Sequence, residues 1–120
     1  MPLKAAFIFI APEADPAQHT AIVKTPEVEV TTLAVASYAE AERVAKDLVT
    51  AGIVAIELCG GFGAEGVAQV KRAVAGQAAV GVVRFDCHPG LGFKSGDELF
   101  QPSFRTCLKH YQSLDSDRLL

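Results

Sequence analysis

The chain has no excess of positive charge, no cysteine framework and no apolar stretch long enough to cross a membrane, and each absence removes a class of function. Its 120 residues carry 11 Lys and Arg against 14 Asp and Glu, a net charge of -3. Binding to nucleic acid or to an anionic membrane draws on clustered basic residues, so neither partner is expected. The three cysteines, Cys59, Cys87 and Cys107, lack the paired spacing of a disulfide scaffold, and a reducing cytoplasm is the expected compartment. The N-terminal apolar run Ala5 to Ala11 follows a single Lys4 and stops at Pro12-Glu13 without a small-residue cleavage pattern. It reads as a buried strand and not as a targeting segment. No run approaches the ~20 residues of a bilayer span. There is also no internal repeat and no low-complexity block. A chain of this length buries roughly two thirds of the surface its unfolded form exposes, enough for a single core. Residues 1–112 are therefore expected to form one α/β domain, with 113–120 a frayed tail.

What is present is a hydrophobic period that switches repeatedly between strand and helix. Ala5 to Ile10 is continuously apolar, as in a central parallel strand. Asp15, Pro16 and Gln18 have the spacing of a capped helix start, which predicts a short helix ending near Lys24 because Thr25 precedes Pro26. Val28 to Val35 is rich in β-branched residues and reads as a half-exposed, edge-like strand. Ser37-x-x-Glu40 is a capping box opening a helix whose stripe is Ala41, Val44, Ala45 and Leu48, with Glu42 and Lys46 paired outside and Gly52 as its stop. Ile53 to Cys59 is the next strand. A helix then runs to about Ala75, with Val67, Val70 and Val74 on one stripe and Gly76 beyond it. Val80 to Phe85 is the last strand. The order βαβαβαβ predicts a small doubly wound, mostly parallel four-stranded sheet, flavodoxin-like or Rossmann-like, with helices on both faces. Leu91 to Phe100 reads as an irregular segment that either folds over the pocket, with Lys94 reaching an anion, or is a surface-packed connection or a subunit contact. A C-terminal helix is expected from Pro102, with Phe104, Cys107, Leu108 and Tyr111 on its stripe.

In such sheets ligands bind outside the carboxyl ends of the strands, which ranks Ala11 to Asp15, Cys59 to Gly63 and Asp86 to Gly90 first. The run Gly60-Gly61-Phe62-Gly63 opens a helix and offers backbone N–H groups to an anion. Gly61-x-Gly63-x-x-Gly66, with Asp86 following 20 residues later, matches a dinucleotide fingerprint. That fingerprint normally opens a larger domain, whereas here it lies in the last unit, so a smaller phosphate or carboxylate ligand fits better. Alternation along the strands groups Glu57 with Cys59 and Arg84 with Asp86, and makes Glu57 and Arg84 neighbours. They form either a structural ion pair or a site in which Arg84 holds an anion while Glu57 orients it or acts as a base. Cys59, near the positive end of a helix, is either a nucleophile or a small packing residue. His88, before the Pro89-Gly90 turn, is the candidate acid or base, and with Asp86 and Glu57 it would orient the ligand or transfer protons. No metal-ligand spacing joins these groups to His19, and His110 has no evident role, so neither a metal nor a particular cofactor is specified.

The segments Glu57-Leu58-Cys59-Gly60-Gly61-Phe62-Gly63 and Arg84-Phe85-Asp86-Cys87-His88-Pro89-Gly90 resemble the hallmark segments of a small bacterial family of domains of unknown function. The resemblance covers about Lys4 to Phe100. It implies an α/β fold and draws attention to these positions, and it brings no activity with it. The residues thus point to a pocket at the carboxyl edge that binds a small anionic metabolite, on a protein that forms homo-oligomers because its sheet edges and apolar surface need cover. The alternatives are a non-catalytic oligomeric or regulatory module whose glycine turn is structural, and a nucleotide-binding protein. None of these names a reaction.

Overall fold

Burial alternates along the first strand and sets the architecture. In β1 (Leu3–Ile10) Ala6, Ile8 and Ile10 are buried, whereas Ala5, Phe7 and Phe9 are only partly so. Successive strand side chains point to opposite faces, so one side of the sheet is covered far better than the other. The computed structural model describes residues 1–100. In it β1 is the centre of a five-stranded sheet with strand order β2-β3-β1-β4-β5. The other strands are β2 (Thr20–Lys24), β3 (Val28–Val35), β4 (Ala55–Leu58) and β5 (Ala79–Val82). All neighbours are parallel except β2, which lies antiparallel to β3 at one edge.

Two helices cover one face. α1 (Tyr38–Thr50) starts at the predicted box: the Glu40 amide donates to Ser37 Oγ at 3.1 Å, and Glu40 Oε1 accepts from the Ala36 amide at 2.8 Å. Its outer ion pair is Arg43–Glu40 at 3.3 Å. α2 (Ala64–Val74) ends at Ala75, in the left-handed region, followed by Gly76 with φ of 78°. Tyr38, Ala41, Val44 and Ala45 of α1 and Val70 and Val74 of α2 join Ala6, Ile8, Ile10, Leu33, Val35, Ile56 and Leu58 in one core. The topology explains why both helices share a side. The crossovers β3-α1-β4 and β4-α2-β5 step in the same direction across the sheet, and right-handed crossovers stepping the same way place their helices on the same face. A doubly wound sheet covers its second face with a helix on the return step, and that step here runs through β2.

The expected four-stranded, doubly wound sheet is therefore corrected to a mixed five-stranded one, with both long helices of the described residues on one side. The helix expected up to Lys24 does not form. Its start signal is local: Asp15 Oδ1 accepts from the Ala17 amide at 3.0 Å and the Asp15 carbonyl accepts from His19 at 2.7 Å, closing a single turn. Thr20, Ile22 and Val23 are β-branched, and pairing with β3 overrides the cap. Thr25 closes the hairpin, its hydroxyl donating to the Val28 carbonyl at 2.8 Å. β3, expected at an edge, lies inside the sheet between β2 and β1, and its polar residues Glu29 and Thr31 align with Lys4 and Ala6 on the helix side, where they are only partly buried. The segment expected to be irregular contains a 3-10 turn (Pro89–Leu91) and a short helix α3 (Gly96–Phe100). The helix expected from Pro102 and the tail from 113 lie outside the described residues. Among the described residues no helix is long and apolar enough to cross a membrane.

Candidate functional site

The first amides of α2, which follow the glycine turn from β4, are taken up by a side chain of the chain itself. Gly63 is the N-cap of α2 and has no side chain to satisfy the first free amides. Asp97 of α3 does so from a distance in sequence. Its Oδ2 accepts from the Glu65 amide at 3.0 Å and its Oδ1 from the Gly66 amide at 3.1 Å. Oδ1 also accepts from the Tyr38 hydroxyl at 2.9 Å, and that hydroxyl accepts from the Gly63 amide at 3.0 Å. Asp97 is 5% exposed, so a carboxylate sits buried on the positive end of a helix, where amide dipoles favour it. Burial holds the Tyr38 phenol well above the ordinary tyrosine range, a shift opposed by the Gly63 amide and reinforced by the adjacent Asp97 carboxylate.

The glycines are required by this packing. A Cβ on Gly63 would lie 2.5 Å from the Asp97 carboxyl and from Ser95 Oγ, one on Gly66 would enter the Tyr38 ring, and one on Gly96 would meet the Gly61 carbonyl. Phe85 occupies the space beside Gly60, and Ile10 that beside Gly61. The amides are engaged as well, since Gly61 donates to Cys59 Sγ at 3.3 Å and Phe62 to the Cys59 carbonyl at 3.0 Å. Phe62 stacks on Tyr38, with ring centroids 5.4 Å apart.

Beside this clasp lies an open cleft of about 400 Å³ between the end of β5, the first turns of α2 and α3. Phe62, Val67, Val82 and Phe85 give it apolar walls, and Arg84, Asp86, Ser95 and Asp97 bring polar groups to it. Arg84 is the one cation among the described lining residues. Its Nε donates to Asp86 Oδ1 at 2.9 Å, and both side chains are largely exposed, at 81% and 78%. Two residues apart, Arg84 and Asp86 thus form an exposed ion pair beside the apolar walls of the cleft.

Of the residues singled out by the sequence, Phe62, Gly63, Arg84 and Asp86 meet at the cleft, and Gly60 and Gly61 lie in the turn behind it. Glu57 does not join Arg84. The register pairs Glu57 with Gly81 and Leu58 with Val82, which puts Glu57, exposed, on the sheet face away from the helices and aligns Arg84 with the helix-covered side. The partner of Arg84 is Asp86. Cys59 is partly buried against the core. His88 caps its own turn, Nδ1 accepting from the Gly90 amide at 2.9 Å, and its ring lies 4.7 Å from Phe85. His19 Nδ1 accepts from the Asp15 amide at 2.9 Å. Among the described residues no group of three His, Cys, Asp or Glu is arranged to hold a metal ion. Cys107 and His110 lie outside the described residues. Sequence reasoning missed Tyr38, Ser95 and Asp97. A signal for the latter two was present, since Ser95-x-x-Glu98 repeats the capping-box pattern: the Ser95 amide donates to Glu98 Oε2 at 2.9 Å and the Asp97 amide to Ser95 Oγ at 3.2 Å.

A family model described as a family of unknown function (DUF6506) matches residues 3–98, and the chain belongs to that family. No curated protein and no solved structure matches it.

Proposed function

We propose that this family member binds a small organic acid with an apolar body in the cleft between β5 and α2, its carboxylate held by Arg84. The observation that carries the reading is a single arginine, oriented by Asp86, at the mouth of a hollow walled by Phe62, Val67, Val82 and Phe85. The bond to Asp86 uses the Nε edge of the guanidinium, so the two Nη groups are the donors for a ligand. A volume near 400 Å³ is at the small end of metabolite sites and accepts a ring or a branched chain. A carboxylate is favoured over a phosphate. The helix N-terminus that would cradle a phosphate already holds the Asp97 carboxylate, which also weighs against the nucleotide alternative. A second reading, a module whose motifs only lock the fold, draws on the internal use of Gly61, Gly63 and Gly66.

Thermal shift with acetate, isovalerate, benzoate, inorganic phosphate and a nucleoside diphosphate tests both. At about ten times its dissociation constant a ligand adds ~1.4 kcal/mol, roughly 3–6 °C for a domain of this size. Benzoate or isovalerate is expected to give this shift and Arg84→Met to abolish it without moving the unliganded midpoint. No response to any carboxylate, or a response that survives Arg84→Met, refutes the cleft reading.

A further inference from the structure

We infer that the acid bound in this cleft is an apolar amino acid, its ammonium held by Asp86 while its carboxylate lies on Arg84. The inference rests on the cleft reading and narrows its ligand class. It begins with what the ion pair leaves unused. Arg84 Nε donates to Asp86 Oδ1, and neither the two Nη groups nor Asp86 Oδ2 has a partner among the described residues. A row of donors and a carboxylate oxygen therefore stand side by side, brought together by the 2.9 Å bond between their other atoms. The head group of an α-amino acid is the converse of this pair, a carboxylate and an ammonium on one carbon. The Nη groups suit the carboxylate, and Oδ2 suits the ammonium.

The charge of the lining favours the same class. Among the described lining residues Arg84 faces two carboxylates, Asp86 and Asp97. Arg84 is already matched by Asp86, so a ligand that brings only a carboxylate adds negative charge with no further cation to answer it. An ammonium on the same ligand restores the balance. Of the two carboxylates, Asp97 is 5% exposed and its oxygens already accept from two amides and the Tyr38 hydroxyl. Asp86, 78% exposed, is the open acceptor. An exposed ion pair adds little to folding by itself, so both of its members are available to a ligand without loosening the domain. With the head group on this pair, the side chain of the amino acid lies along Phe62, Val67, Val82 and Phe85, in a space that takes a branched chain or a ring.

Valine and isovalerate differ only by the amine, and isobutylamine is valine without its carboxylate. Isothermal titration of the full chain at neutral pH is expected to give valine a dissociation constant on the order of 10-fold below those of isovalerate and hydroxyisovalerate, the size of one hydrogen bond to a charged group. Isobutylamine is expected to bind more weakly than valine by a similar factor. Asp86→Asn keeps an acceptor for Arg84 Nε and removes the negative charge at an exposed position, and its unliganded melting midpoint verifies that the fold stands. In this variant the preference for valine over isovalerate is expected to shrink to about threefold or less. If isovalerate binds and valine binds no more tightly, the inference falls while the cleft reading stands. Hydroxyisovalerate equal to valine, or a preference that Asp86→Asn leaves in place, overturns the inference likewise. Isobutylamine equal to valine, or no binding of either valine or isovalerate, overturns the inference and the cleft reading together.

Discussion

Replacing Asp97 by alanine tests whether the fold is closed by the buried carboxylate on α2. The substitution removes three acceptor contacts at once, leaving the Glu65 and Gly66 amides and the Tyr38 hydroxyl without the partner they have now. Loss of a helix cap costs about 0.5–2 kcal/mol. A buried hydroxyl left unpaired adds about 1–3 kcal/mol. The two losses overlap where water enters, and the expected total is about 3–4 kcal/mol. Asp97→Asn keeps the shape and one acceptor oxygen but turns an amide donor toward donors, and is expected to cost about 2 kcal/mol. Urea unfolding followed by circular dichroism reads both. With a slope of about 1.5 kcal/mol per molar, the midpoint falls by about 2 M for alanine and somewhat over 1 M for asparagine, at unchanged slope. Tyr38→Phe combined with Asp97→Ala is expected to cost about 1 kcal/mol less than the sum of the single changes, because both remove the same hydrogen bond. A midpoint for Asp97→Ala within about 0.5 M of the unaltered chain, or strict additivity with Tyr38→Phe, refutes the reasoning.

Two further outcomes follow from the same node. Gly96→Ala in α3 raises helix propensity by about 1 kcal/mol, yet its Cβ meets the Gly61 carbonyl, so the expected result is a net loss of about 2 kcal/mol or more in urea unfolding. A stabilised variant would show that α3 is not docked on the glycine turn. Because the Tyr38 phenol is held above its ordinary range, the unfolded chain gives up that proton from about pH 10 while the folded one retains it. The folded state then binds the extra proton, so stability is full below about pH 10 and falls above it, by up to about 1.4 kcal/mol per pH unit. In midpoints measured between pH 9 and 11, Tyr38→Phe is expected to flatten this decline; equal slopes for the two proteins would contradict the burial of the phenol.

How far the fold was legible depended on the range of the signals. β1, β3 and α1 were readable because their information is local: a continuous apolar run, a β-branched run, and Ser37 three residues before Glu40. The region from Asp15 to Lys24 misled because two local signals conflict there. Asp15 and Pro16 do start a turn, and nothing in the spacing says that Ile22 and Val23 will pair with β3 instead of extending it. Placing the helices on both faces was a consequence of that one substitution of strand for helix. At the site, the turn and the strand-end positions were legible from topology, and Arg84 and Asp86 do reach the cleft. Parity made Glu57 a neighbour of Arg84 only if both strands were in the assumed register, and the actual pairing of Glu57 with Gly81 reverses it. Asp97 was beyond reach for a different reason. Its partners lie 31 to 59 residues away, and no local pattern announces a cap supplied from so far along the chain.

That distance has a consequence for the order in which the molecule assembles. By residue 90 a growing chain contains all five strands and both long helices, yet the first amides of α2 still lack their acceptor. Closing the loop from Tyr38 to Asp97 is a long-range step, with the entropic cost that such closures carry. Every fully buried core residue lies at or before Val74, so the chain supplies its core first and the residue that fastens it last, with the final ten described residues as the bolt.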